Sequence, residues 1–146
     1  MSAGPSSRME ILLVEDNMED ANVAIQALRG KVPCRLTLVC DGAEALRFLR
    51  REGEFSRVPQ PDLILLDMLL PKMAGHELLA EIRADDCLQH IPVVVLTASL
   101  VHRALLQREE LHVDAFMTKP VELLKFVEVV KSLHRAMLTE FVLSIA

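Results

Sequence analysis

Three short, almost continuously apolar segments constrain the fold of this chain more than any other feature of its sequence. They run from Glu10 to Glu15, from Asp62 to Asp67 and from Ile91 to Thr97. Strands that are buried on both faces of a parallel sheet have this kind of composition. Two further strand candidates, Cys34–Val39 and Val113–Thr118, bring the predicted sheet to five strands.

Segments with helical periodicity separate the strand candidates from one another. They are Met18–Arg29, Gly42–Arg51, Gly75–Arg83, Leu100–Leu111 and Val121–Ala136. In the last of these, Phe126, Val130 and Leu133 fall on one face of the helix. The strict alternation of strand and helix predicts a βαβ series with right-handed crossovers, and therefore a three-layer α/β domain.

Composition limits the functions that such a domain can have. The 146 residues suffice for one domain with a real core, and half of them are apolar. The formal net charge is -5 without any basic run, which argues against direct DNA binding. We expect no membrane insertion, because the apolar runs are far shorter than a span of about 20 residues. Residues 1–8 predict a flexible leader. The cysteines lack CxxC spacing and predict reduced thiols in a cytoplasmic protein.

Polar side chains stand at the carboxyl ends of the predicted strands. The first strand ends in Glu15 and Asp16, the third in Asp67 and the fourth in Thr97, while Lys119 follows the fifth. Ligands of open α/β sheets bind at this edge. If the first and third strands are neighbours, three carboxylates converge there and must take up protons or recruit a cation.

This set of residues favours phosphoryl chemistry at a magnesium site. Mg²⁺ prefers oxygen ligands and keeps waters for itself and for phosphate. Asp67 offers a carboxylate nucleophile, while the Thr97 hydroxyl and the Lys119 ammonium suit phosphoryl oxygens. Each residue alone has a simpler explanation, since Glu15 and Asp16 could form a turn or a helix cap and Lys119 could be a solvated loop residue. Their joint occurrence in this order favours the site.

Four motifs give the chain a resemblance to the response-regulator receiver domain, the phosphoacceptor module of two-component signalling. They are "ILLVEDN", "DLILLDMLLPKMAG", "IPVVVLTAS" and "FMTKP". The resemblance extends from about Met9 to Leu133, so we take residues 9–136 as the domain. It implies a flavodoxin-like, doubly wound sheet with the strand order 2-1-3-4-5, which the CheY-type proteins share.

The resemblance also implies roles for single residues. Asp67 is expected to accept the phosphoryl group, with Mg²⁺ bound by Asp16, Asp67 and the backbone carbonyl of Leu69, and through water by Glu15. Thr97 and Lys119 are expected to contact the phosphoryl group.

Further expectations concern the residues around this site. The bond before Pro120 is expected to be cis, and Phe116 stands where the family often has an aromatic switch residue that moves together with Thr97. Plain packing of Phe116 is the alternative. The apolar Leu69 replaces a common polar residue, and we expect it to alter the lifetime of the acyl phosphate.

A narrower resemblance connects the chain with the response regulators that are paired with bacterial phytochrome kinases. The expected partner is therefore a sensor histidine kinase, such as a bacteriophytochrome. We expect no effector domain after the last helix, so the signal would leave through protein contacts or the protein would act as a phosphate sink.

The C-terminal segment 137–146 is unusually apolar and predicts a contact between two chains. A single helix from Val121 to Ile145 would be about 37 Å long, whereas strands of a sheet are roughly 20 Å long. We therefore favour a symmetric homodimer over a segment that folds back. The candidate dimer contacts are Met137, Leu138, Phe141, Val142 and Ile145.

Other classes of protein share parts of this pattern. Hydrolases of the haloacid-dehalogenase type also use an aspartate at a strand end, but they need a second Asp where this chain has Leu69. A flavin-binding module would need loops rich in Ser, Thr and aromatic residues, and this chain does not have them. A receiver-like binding module that is not phosphorylated is the remaining alternative.

Overall fold

Five parallel strands form the centre of the protein, a computed structural model of which describes residues 8–145. The strands are β1 (Met9–Val14), β2 (Cys34–Val39), β3 (Leu63–Asp67), β4 (Val93–Leu96) and β5 (Ala115–Met117). Their order in the sheet is β2-β1-β3-β4-β5 and every neighbouring pair is parallel. The predicted fold and strand order are therefore confirmed. Residues 1–7 of the predicted leader and Ala146 lie outside the described residues.

Helices connect the strands and cover both faces of the sheet. They are α1 (Met18–Leu28), α2 (Gly42–Leu49), α3 (Gly75–Ala84), α4 (Leu100–Arg108), α5 (Leu123–Ser132) and α6 (Ala136–Glu140), with a short 3₁₀ turn at Gly53–Phe55. The side chain of Asn17 accepts a hydrogen bond from the Asp20 N–H and starts α1, and Asp41 caps α2 in the same way. No helix within residues 8–145 is both long enough and apolar enough to span a bilayer.

The apolar runs fill two separate cores, one on each face of the sheet. Along β1, Ile11 and Leu13 point to the core beneath α1 and α5, whereas Leu12 and Val14 point to the core beneath α2, α3 and α4. Successive side chains of a strand point to opposite faces. All four of these residues are buried, so the run must be apolar at every position.

Gly75 lets the first turn of α3 pack against the end of β3. A Cβ atom at this position would lie 2.7 Å from the Met68 Cα and 2.8 Å from the Asp67 carbonyl oxygen. Both contacts are to backbone, which cannot move away as a flexible side chain could. Because Gly75 has no side chain, the first turn of α3 can pack directly against the backbone of Asp67 and Met68.

The C-terminal segment folds back on its own chain, which is the outcome that the sequence analysis disfavoured relative to a homodimer contact. Helix α5 ends at Ser132, and His134 has a φ of 53°, in the left-handed region that interrupts a helix. After this turn α6 begins, and Leu138 and Val142 enter the core beneath α1 and α5.

Two of the predicted dimer contacts are therefore contacts within one chain. Leu138 is 3% exposed and Val142 is fully buried. Phe141 and Ile145 are partly buried and pack against the same core, whereas Met137 remains 56% exposed. The apolar side chains of this segment therefore pack mainly on the core of their own chain.

Replacing Leu138 by alanine should lower the free energy of unfolding by about 2–4 kcal/mol, because the change leaves a cavity in the core. Leu124→Ala is the matched control, since it makes the same change at an exposed residue of α5 and should alter stability by less than about 0.5 kcal/mol. Urea unfolding of both variants measures the difference. Equal stability of the two variants would contradict the packing of α6.

Candidate functional site

Three carboxylates meet at the carboxyl edge of the sheet. Val14 is paired with Leu66, so the residues that follow each of them, Glu15 and Asp67, lie side by side. Carboxylate oxygens of Glu15, Asp16 and Asp67 all lie within 4.8 Å of one another. Glu15 and Asp67 are buried, whereas Asp16 is exposed.

Lys119, which follows the edge strand β5, contacts this cluster. Its ammonium Nζ lies 2.7 Å from Glu15 Oε1, 3.3 Å from Asp67 Oδ2 and 3.0 Å from Asp20 Oδ2. Sequence reasoning did not single out Asp20. Its position in the first turn of α1, a few residues after Glu15 and Asp16, is the sequence signal that would have placed it in the predicted site.

Burial and charge alter the acid–base behaviour of these groups. Burial raises the pKa of Glu15 to about 7, an effect that the Asp67 carboxylate strengthens and the hydrogen bond from Lys119 opposes. Burial lowers the pKa of Lys119, but its bonds to Glu15 and Asp20 and the charge of Asp67 outweigh burial. The pKa of Lys119 therefore lies above its usual range, so the ammonium stays charged.

Thr97 lies directly after β4 and is buried. Its hydroxyl Oγ1 accepts a hydrogen bond from the Ser99 N–H at 3.0 Å and lies 2.7 Å from Nδ1 of His102. Thr97 is thus held by the first turn of α4. The sequence prediction included Thr97 but missed His102, since a lone histidine five residues away carries no motif.

Phe116 is half-buried against the core beneath α4. The guanidinium carbon of Arg103 lies 4.3 Å from the centre of its ring, within the range of a cation–π contact. Arg103 directly follows His102, so two adjacent residues of α4 contact Thr97 and Phe116. Sequence reasoning did not single out Arg103 either.

Two other predicted residues border the cluster. The peptide bond between Lys119 and Pro120 is cis. The side chain of Leu69 is 69% exposed, and its backbone N–H lies 3.4 Å from Asp67 Oδ1. Leu69 therefore stands at the rim of the site, with an apolar side chain facing solvent.

The donor atoms of the cluster fit a small divalent cation. All three side chains offer carboxylate oxygens, which are the ligands that Mg²⁺ prefers. The exposed Asp16 leaves a side open to water, and Mg²⁺ keeps several waters in its coordination shell. Glu15, Asp16 and Asp67 could therefore hold Mg²⁺, while Lys119 balances part of their negative charge.

The model of the response regulator receiver domain family matches residues 11–131. The chain belongs to this family. The match includes β1 from Ile11 onward, the other four strands and the acidic cluster, so the family resemblance seen in the sequence is confirmed. The roles of single residues in phosphoryl transfer remain predictions.

Similar proteins include several other response regulators. Response regulator Rcp1 from Synechocystis sp. is 39% identical over 125 residues, which are 85% of each chain. A structure of Rcp1 in its Mn²⁺-bound form is similar with a TM-score of 0.70 at 36% identity, covering 94% of this chain and 93% of that one.

Two further solved structures share this likeness. The bacteriophytochrome response regulator RtBRR has a TM-score of 0.79 at 40% identity, covering 88% of this chain and 79% of that one. The phosphorylated cyanobacterial phytochrome response regulator RcpA has a TM-score of 0.74 at 41% identity, covering 91% and 96%.

The raised pKa of Glu15 predicts that Glu15→Gln stabilises the metal-free receiver domain at high pH. Between about pH 4.5 and 7 the unfolded chain releases this proton before the folded chain does, so stability falls as pH rises. Glutamine removes this loss and should add roughly 1–3 kcal/mol to the free energy of unfolding at pH 8.

The gain should shrink towards pH 5, where the folded chain keeps Glu15 neutral. Urea unfolding in EDTA at pH 8 and at pH 5 measures this gain in the free energy of unfolding. Glu128→Gln is the control, because it makes the same chemical change on the exposed face of α5. A variant less stable than the parent at pH 8 would mean that the bond to Lys119 outweighs burial.

Proposed function

We propose that this receiver domain accepts a phosphoryl group on Asp67 from a sensor histidine kinase and passes the signal on through protein contacts. The observation that carries the proposal is the position of Asp67. Its buried carboxylate lies within 4.8 Å of the oxygens of Glu15 and Asp16 and 3.3 Å from the Lys119 ammonium. A nucleophile, ligands for a metal and a fixed cation thus meet at one point.

The transfer is a substitution at phosphorus. A carboxylate oxygen of Asp67 attacks the phosphorus of a phosphohistidine, a P–O bond forms, and the P–N bond breaks with its electron pair returning to the imidazole. The product is an acyl phosphate. Mg²⁺, held by Glu15, Asp16 and Asp67, would supply neutralisation of the phosphoryl charge.

Other side chains of the domain are placed to contact the phosphoryl group once it is on Asp67. Lys119 stays charged and can turn from Glu15 and Asp20 towards a phosphoryl oxygen. Thr97 directly follows β4, which is paired with β3, and it can donate its hydroxyl proton to a second oxygen once it leaves His102. The backbone carbonyl of Leu69 is the proposed remaining metal ligand.

A phytochrome-type histidine kinase is the partner that we propose. The support is the likeness to RtBRR and RcpA, whose names state that they are phytochrome response regulators, and RcpA is described as phosphorylated. A cytoplasmic location belongs to the same proposal and agrees with the free Cys34, Cys40 and Cys87, because thiols persist in a reducing compartment.

Incubation with a small acyl-phosphate donor and Mg²⁺ should add the mass of one phosphoryl group to the intact protein. Asp67→Asn should abolish the adduct, since an amide cannot replace the carboxylate as nucleophile. Asp86→Asn is the matched control, because it makes the same change at an exposed residue beyond the far end of α3.

Intact-protein mass spectrometry gives the readout for all three proteins. The absence of any adduct while Mg²⁺ still binds would favour a receiver-like binding module that is not phosphorylated. An adduct that persists in Asp67→Asn would place the acceptor elsewhere.

We also propose that two copies of the chain associate through the C-terminal segment. Met137 and Leu143 are apolar and more than half exposed there. Met137 borders a groove of about 400 Å³ that Pro61, His90 and Pro92 help to line. A second copy could cover this surface, whereas Leu138 and Val142 stay within their own chain.

Met137→Glu should shift a dimer towards the monomer, because association would then bury a charge without a partner. Val23→Glu adds the same charge on the half-exposed face of α1 and serves as the control. Sedimentation velocity over a range of concentrations measures the oligomeric state. Equal sedimentation of both variants and the parent protein would contradict an interface at this segment.

A further inference from the structure

His102 is fixed at both its backbone and its side chain in the first turn of α4. The Ser99 hydroxyl accepts hydrogen bonds from the backbone N–H groups of Val101 and His102, at 3.2 and 3.3 Å. From this position the imidazole Nδ1 reaches the hydroxyl of Thr97 at 2.7 Å. The bond connects the start of α4 to the end of β4.

We propose that His102 is a positioning residue that holds the Thr97 hydroxyl against α4 and so competes with the incoming phosphoryl group. The inference rests on the proposed function, because it assumes that Thr97 contacts a phosphoryl oxygen. It adds a residue to that site and gives this residue a restraining effect.

The competition follows from the hydrogen-bonding capacity of a hydroxyl. Thr97 Oγ1 has one proton to donate, and one of its lone pairs already accepts the Ser99 N–H. Phosphoryl oxygens only accept hydrogen bonds, so Thr97 must give its proton to them. When Nδ1 of His102 accepts that proton, the two bonds exclude each other, and when Nδ1 donates, it still holds the oxygen in place.

The neighbouring contact of Arg103 extends the effect of this bond. Arg103 covers the ring of Phe116 while His102 holds Thr97, so one turn of α4 restrains both side chains. Release of Thr97 from His102 therefore removes one of the contacts that join this turn to the strand ends. We expect α4 to respond to phosphorylation at this turn first.

Two substitutions separate the hydrogen bond from the shape of His102. His102→Leu keeps a branched side chain without any polar atom. His102→Asn keeps a polar atom attached to Cγ, where the histidine has Nδ1, and can restore the bond. Both should bind Mg²⁺ alone as the parent does, because His102 bonds to Thr97 rather than to the carboxylate cluster.

The probe is beryllium fluoride with Mg²⁺, which mimics the phosphoryl group on a carboxylate. The apparent affinity of His102→Leu should be about 2- to 10-fold higher than that of the parent, as expected for the loss of one competing hydrogen bond. His102→Asn should return towards the parent value. In the parent, the ¹⁵N signal of Nδ1 should shift when the probe binds.

Each result decides the proposal. Equal affinity of the leucine variant and the parent, or equal effects of leucine and asparagine, would overturn it, as would an unchanged Nδ1 signal. A parent protein that binds no probe and accepts no phosphoryl group would overturn the proposed function as well. Binding and phosphorylation in the parent without a difference among the variants would overturn only the role of His102.

Discussion

The contact of one ammonium group with three carboxylates is the interaction on which the carboxyl edge of the sheet depends. Glu15 and Asp67 are placed side by side by the pairing of β1 with β3, and two buried carboxylates repel each other. Lys119 follows β5, so its side chain must pass the end of β4 to reach them. A long, flexible side chain is suited to this reach, and its positive charge offsets part of the repulsion among the carboxylates.

The apolar runs of the central strands hold the carboxylate cluster in a fixed position. Each central strand is buried on both faces, so a shift in register would break two cores at once. Gly75 then brings the backbone of α3 against Asp67, the proposed acceptor. Stability and chemistry oppose each other here, because burial that fixes Glu15 also disfavours its charge.

Much of this structure follows from the sequence, for reasons that can be stated. Runs such as Leu63–Leu66 identify a doubly buried strand, and the acidic residues at the strand ends follow from the sheet that those runs predict. The turn between α5 and α6 could not be predicted from the sequence. Its left-handed residue is His134 rather than the glycine or asparagine that usually marks such a position. Periodicity identifies an apolar face but does not say which surface covers it.

The contacts of His102, Arg103 and Asp20 were also missed, for a different reason. Each joins side chains that become neighbours only when the strand ends and helix starts meet at one edge. Short motifs record residues that a whole family needs at fixed spacing. The contacts of His102, Arg103 and Asp20 have no such motif and follow only from the folded structure.

The return of the C-terminal segment also determines how this molecule can be attached to a surface. Arg135 donates to the carbonyl oxygen of His90, and Met137 and Leu138 line a groove with Asp62 and Pro92, at the amino ends of β3 and β4. Asp67 lies at the opposite end of β3, about 17 Å away for five residues. A dye or an anchoring group attached at the exposed Met137 would therefore lie at the opposite end of β3 from Asp67 and leave the carboxylate cluster uncovered.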